Sequence, residues 1–293
     1  MAINVDAVRN WPFMPVRQAY TAKDTILYAL ALGYGSDPVD AGQLSFVYEQ
    51  GLQASPAMAT ALCHPGFWIS DPRTGIDATQ SVHAEHNVVF HRPLPPVGML
   101  VATSCVLNVF DRGPGKGAVL VFARDLQDEA TGACIASIEH RTICRADGGF
   151  AADAPQLQGQ KPTGLFAPVD ATRPPDHAID IASLPQAALI YRLSADLNPL
   201  HANPAVAQKA GFPRPILHGL CTYGLCSRAI LQACCAQRAD ALRALAMRFL
   251  APVFPGETLR VALWRTGNRL GFNCSVPARN DLMVATGNAT IAP

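Results

Sequence analysis

The stretch HGLCTYGLCSRAILQACCAQR, His218 to Arg238, carries a single charge before Cys235, that of Arg228. A helix that is apolar almost all round has no face to give to solvent and is buried on nearly every side. The strands after it have to wrap it, which argues for one helix enclosed by an antiparallel sheet.

The rest of the chain repeats this plan. NVVFHRPLPPVGMLVATSCVLNVF in the first half is answered by AMRFLAPVFPGETLRVALWRTG in the second, with Phe90, Pro93, Pro96 and Leu100 matching Phe249, Pro252, Pro255 and Leu259. Each block reads as strand, proline-rich turn, strand. Two more β-rich runs follow each block: Ala118–Leu126 and Ala133–Cys144, then Leu270–Val276 and Leu282–Ile291. Turn signals such as DRGPGKG and DEATG separate them. Between the halves, Arg145 to Pro168 is rich in Gly, Pro, Ala and Gln and reads as a connection. The expected organisation is an N-terminal repeat (1–150), a linker (151–170) and a C-terminal repeat (171–293). Two shorter helices are expected. TAKDTILYALALGYG has Thr21 and Asp24 as capping residues and Gly33 and Gly35 as stops; SPAMATALC has Ser55 as N-cap and Pro56 at the first helical position. The fold class is α+β, a duplicated antiparallel sheet, each copy wrapped around a central helix.

At 293 residues the chain buries enough surface to need no disulfide or metal staple. Its net charge of +1 offers no basic face for nucleic acid. The nine cysteines are odd in number and sit mostly in apolar runs, as reduced buried thiols do. No basic-then-apolar leader opens the chain, and no run reaches the ~18 apolar residues of a membrane span. A cytoplasmic location is the expectation, with no membrane partner.

Chemistry is concentrated in YRLSADLNPLHANP, Tyr191 to Pro204. Asp196 and His201 can both exchange protons near neutral pH, as an acid–base pair must. Pro199 keeps Asn198 out of the helical region, so the chain turns and the two tips can converge. Asn198 can orient a water or the aspartate. Alone, this segment reads as a polar loop before it reads as a site. Further on, PILHGLCT leads into the buried helix, where the Gly219 N–H at the positive helix end is a natural oxyanion donor.

Taken together and at this spacing, the two motifs resemble the (R)-specific type 2 enoyl-CoA hydratases, also called MaoC-like dehydratases, in their two-repeat form. YALALGYG, SVHAEHNVVFHRPLPPVG, DRGPGKG and DGGF extend the resemblance through the first half. It implies a double hot-dog fold, usually assembled into a homodimer. It implies reversible hydration of a trans-2-enoyl-CoA to an (R)-3-hydroxyacyl-CoA, with no metal or redox cofactor. Asp196 and His201 take the places of the family's catalytic pair, Asn198 of its positioning amide and Gly219 of its oxyanion donor. His83 and Ala84 stand for a His-Gly pair that contacts the ligand, Arg112 for a lysine that meets the CoA phosphates, and Phe249 for an aromatic lining the site. Ala84 and Ala195 replace glycines of the pattern, Asn203 an aspartate and Arg112 a lysine.

The first half has no Asp-x-Asn-Pro-x-His, so it is expected to bind substrate while the second half reacts with it. Ala57, Ala59 and Ala61 would leave room there for an acyl tail. HAEHNVVFH places His83, Glu85, His86 and His91 close in sequence and invites a zinc reading. On a regular strand, however, His83 and Glu85 share a face and His86 points away, so no metal is expected. Cys221, near the proposed site, reads as a small buried hydrophobe. The alternatives are an acyl-CoA thioesterase of the same architecture, a dehydratase of branched or hydroxylated acyl-CoAs, and a non-catalytic acyl-CoA-binding protein.

Overall fold

The computed structural model describes residues 3–167, 169, 171–194 and 196–293; Ala195, one of the departures noted above, lies outside them. Ten strands are present: β1 (Val16–Tyr20), β2 (Ser81–Phe90), β3 (Gly98–Asp111), β4 (Ala118–Asp128), β5 (Cys134–Cys144), β6 (His177–Ala182), β7 (Leu242–Phe249), β8 (Thr258–Thr266), β9 (Arg269–Val276) and β10 (Leu282–Ile291). They form one sheet in the order β1-β3-β4-β5-β2-β7-β10-β9-β8-β6. Every neighbouring pair is antiparallel.

The order is its own argument for duplication. Read inward from one edge it runs 1-3-4-5-2; read inward from the other it runs 6-8-9-10-7, the same series with five added to each number. The two copies join through β2 and β7, paired from Glu85↔Arg248 to Val89↔Ala244. The outermost strands, β1 and β6, are short and partly exposed, as edge strands commonly are.

The helices are α1 (Val5–Arg9), α2 (Ala22–Ala31), α3 (Ala41–Leu44), α4 (Ala187–Tyr191), α5 (Pro204–Lys209) and α6 (Gly219–Cys234). α6 is the enclosed helix, unbroken in burial from Cys221 to Leu231. It stops short of the expected Arg238, because Ala236 and Gln237 adopt left-handed backbone with φ 49° and 59°. α2 begins with the expected capping box between Thr21 and Asp24.

The first repeat differs at its centre. SPAMATALC forms only one 3₁₀ turn, Pro56–Thr60, all of it buried. Ser55 makes no side-chain cap there, and its buried hydroxyl has no partner. The helix cannot extend: Cys63 already sits at φ 52°, and Pro65 disfavours helical backbone at His64. The double hot-dog therefore holds one full central helix and one vestige.

Arg228 fastens the repeats together. It projects from α6 into the first half and donates to Leu32 O (2.8 Å), Gln43 Oε1 (3.1 Å) and Ser36 Oγ (3.2 Å). Gly224 lies against Leu32, where a Cβ would come within 2.6 Å of that side chain. The segment after β5 is tied down too. Arg9, Asn108 and Arg141 donate to the carbonyls of Leu157, Gln160 and Thr163. All nine cysteines are free thiols, six of them buried. Among the described residues no helix is long and apolar enough to cross a membrane.

Candidate active site

The turn after α4 is built by its own side chains. Asp196 Oδ1 accepts the Asn198 N–H (2.8 Å), and Asn198 Oδ1 accepts the Leu200 N–H (3.0 Å). Asn198 thus caps the 3₁₀ turn Pro199–His201 with the extended backbone that a following proline requires. The turn carries His201 inward, where it is buried rather than exposed on a loop. There Nδ1 meets the Ile216 carbonyl at 2.9 Å. A carbonyl can only accept, so Nδ1 holds the proton and Nε2 keeps a bare lone pair.

His218, at the mouth of α6, completes the group. Its Nε2 donates to the Asp196 main-chain carbonyl (3.0 Å), which leaves a buried Nδ1 with no partner. Its ring stacks on His201 with centroids 3.7 Å apart and also meets Tyr191 at 4.9 Å. One donor atom each from Asp196, His201 and His218 lies within 4.8 Å of the others. Burial pushes both imidazoles down, His218 to about 3, so both are neutral acceptors near pH 7. The sequence reading passed over His218. Its signal was the position directly before Gly219, at a helix entrance.

Gly219 is the first residue of α6, and no side chain caps that helix end. The Phe249 ring lies against it: a Cβ on Gly219 would be 3.3 Å from the ring. Phe249 in turn meets His83 of the first repeat at 4.8 Å between centroids. Asp196, Asn198 and His201 therefore cluster at the entrance to α6, and His83 reaches Gly219 through Phe249.

The strand reading of HAEHNVVFH needs correction. The β2–β5 register shifts between His83↔Thr142 and Glu85↔Arg141, leaving Ala84 as an extra residue. A bulge of one residue reverses the alternation. His83 and His86 consequently share a face, Nε2 to Nδ1 at 3.2 Å, and His83 stacks on His140 at 3.7 Å. The other members of the proposed zinc set go elsewhere. Glu85 pairs with Arg141 and Arg248, and the exposed side of His91 reaches Ser137. The donor atoms of His83, His86 and His140 do lie within 4.8 Å of one another.

Arg112 does not join this cluster. It is exposed in the β3–β4 turn, closed by Arg112 N–H to Gly117 O and Lys116 N–H to Gly113 O. Asp111 anchors that turn to DGGF, accepting from Gly149 (2.7 Å) and Ala151 (2.8 Å). The turn sits at the sheet end from which β2 starts, since Asp111↔Ala118, Ala118↔Cys144 and Cys144↔Ser81 form one row. Asn203 keeps the capping role of an aspartate, accepting from Ala205 and Val206 at the start of α5.

Comparison with known proteins agrees with this architecture. Residues 168–286 match the MaoC like domain, and residues 18–146 match the MFE-2 hydratase 2 N-terminal domain. The enoyl-CoA hydratase ChsH3 of Mycobacterium tuberculosis is 34% identical over 98% of both chains. The chain belongs to the MaoC-like hydratase 2 family. Another member from the same organism, 3-hydroxyacyl-thioester dehydratase Y, is 37% identical over 86% of this chain and 84% of its own. The crystal structure of a MaoC-like dehydratase from Phytophthora capsici superposes with a TM-score of 0.83, at 28% identity and 99% coverage of both chains. The family matches span both repeats, so the vestigial centre of the first repeat belongs to a two-repeat member.

Proposed function

We propose that this chain adds water reversibly to a trans-2-enoyl-CoA to give an (R)-3-hydroxyacyl-CoA, as a hydro-lyase. The observation that carries this is the cluster of Asp196, His201 and His218 beside the uncapped first turn of a buried helix. Relatives named as enoyl-CoA hydratase and hydroxyacyl-thioester dehydratase supply the reaction class.

In this reading Asp196 and His201 hold a water between them. The water's proton passes to the pair, with His201 Nε2 as the free lone pair, while its oxygen bonds to Cβ. The C=C electrons move toward Cα and charge builds on the thioester oxygen. The Gly219 N–H stabilises that charge, worth about 3 kcal/mol by analogy with one oxyanion-hole donor. The proton held by the pair is then delivered to Cα. Asn198 keeps Asp196 and the turn in place, and His218 orients both through its stack on His201 and its bond to the Asp196 carbonyl. No step needs a metal or redox cofactor.

The second repeat carries the reaction; the first, with His83, Ala84 and the small side chains of Ala57, Ala59 and Ala61, forms wall and acyl site. Arg112 meets the CoA phosphates from the turn at the sheet end. Nine unpaired thiols support a cytoplasmic location, and a homodimer is the assembly we expect. The decisive test is incubation with crotonyl-CoA and assignment of the product's configuration. An (R)-3-hydroxy product supports the reading; an (S) product, or thiol release from a saturated acyl-CoA instead of hydration, refutes it.

A further inference from the structure

A pocket opens one residue past the proposed oxyanion donor. Leu220 lines it from the second repeat, and Thr60, His64, His86, Arg124 and His140 line it from the first. Beside Phe122 and Ile138, the apolar lining an acyl chain would call for, this small pocket buries a cation. Arg124 is 3% exposed, yet among the described residues no carboxylate pairs with it. Two of its five N–H bonds go to the carbonyls of Cys63 (3.2 Å) and Thr60 (2.9 Å), where they close the 3₁₀ turn. Its Nε is buried and has no partner, nor has His86 Nε2. His64 accepts the Gly66 N–H on Nδ1, which leaves its Nε2 as a donor. Burying a cation without a counter-charge is costly. Capping the turn does not explain a guanidinium that keeps three N–H bonds spare.

The strand register shows which part of the substrate would meet this group. Successive inner-face rows run Ala118–Cys144–Ser81, then Leu120–Thr142–His83, then Phe122–His140–His86, then Arg124–Ile138–Val88. Arg112 lies at the first end of that series and Arg124 at the last. His83, which reaches Gly219 through Phe249, lies between them. With CoA toward Arg112 and the thioester at Gly219, the acyl group points toward Arg124. Four residues of strand separate the His83 row from Arg124, about 13 Å at the usual rise.

We infer that the acyl pocket is built for an enoyl-CoA whose acyl chain ends in a carboxylate, held by the free Nε–H edge of Arg124 with donors from His64. Arg offers a carboxylate two parallel hydrogen bonds, and this one is already held in place by its two carbonyl contacts. The assignment rests on the hydratase reading and narrows it to a substrate class.

The test compares kcat/KM for matched pairs of trans-2-enoyl-CoAs from butenoyl to decenoyl, one member plain and the other carrying a terminal carboxylate. At one or more lengths the carboxylated member should be preferred by about tenfold or more, because its absence leaves buried donors unpaired. In Arg124→Met that ratio should collapse. The wild-type ratios stand alone if the variant does not fold. Hydration of crotonyl-CoA with the plain member preferred at every length would overturn this assignment and leave the hydratase reading intact. No hydration of any enoyl-CoA would remove both.

Discussion

The two repeats share a strand order and differ in what the order encloses. In the second, sixteen residues of α6 fill the sheet's concave side; in the first, the five residues Pro56–Thr60 do. The comparison teaches how far two copies of one fold can diverge at their centres. The copy that keeps its helix presents a helix N-terminus, and Asp196, His201 and His218 cluster at that terminus. The copy that has lost it keeps a small cavity, lined in part by His64, His86, His140 and Arg124. Neither copy is complete, since α6 reaches across with Arg228 to satisfy groups around Leu32, Ser36 and Gln43.

The largest expected effect breaks the reacting copy alone. Asp196→Asn and His201→Ala should each lower kcat by about 10²–10⁴-fold, the usual worth of a positioned acid or base. Asp196→Asn is the cleaner variant because His201 is buried; circular dichroism checks that each variant is folded. Wild-type turnover in a folded variant would dissolve the contrast between the copies.

Next in size is the joint between the copies. Arg228→Met leaves the Leu32 carbonyl without its buried donor and should cost about 1–3 kcal/mol. Urea unfolding followed by fluorescence should show an earlier midpoint. An unchanged midpoint would mean that the repeats are held together without this contact.

Acid sharpens the comparison from the other side. Burial holds His64 near about 4 and His83 and His218 near about 3, and it lowers His86, His140 and His201 as well. These groups bind protons more weakly folded than unfolded. Their stabilising contribution is therefore full above the unfolded value of about 6.5 and is lost as pH falls from there toward 3–4. Four of the six lie in the first repeat. Within it, His86→Phe should flatten the loss of urea midpoint between neutral and mildly acid pH; an unaltered slope would place the sensitivity in the other five histidines.

The smallest effect belongs to Arg112. Arg112→Ala should raise KM for a CoA thioester by about two- to fivefold, the worth of an exposed ion pair, with kcat largely intact. A pantetheine thioester without the nucleotide should show less. Equal losses with both substrates would remove the phosphate contact.

Much of this was legible in the residues. The single charge in α6 announced an enclosed helix, and the matching prolines announced the duplicated strand blocks. The turn DLNPLH declared its geometry through Asn198 and Pro199. Other features depend on contacts that no local pattern carries. The edge strands β1 and β6 are five and six residues long and half exposed, so they show no run of apolar residues. The bulge at Ala84 changes facing by one residue, and only the partner register of β5 reveals it. SPAMATALC has the chemistry of a helix start, but Cys63 and Pro65 stop it after one turn. His218 stacks its ring on His201, seventeen positions away, a contact that sequence spacing alone does not place.

The division of labour is tested most directly by counting sites. Butyryl-CoA has the acyl and CoA parts of a substrate but no double bond to hydrate. Calorimetric titration of the intact protein with it should give one binding site per 293-residue chain. Two equivalent sites per chain would contradict the account, because each repeat would then bind substrate for itself.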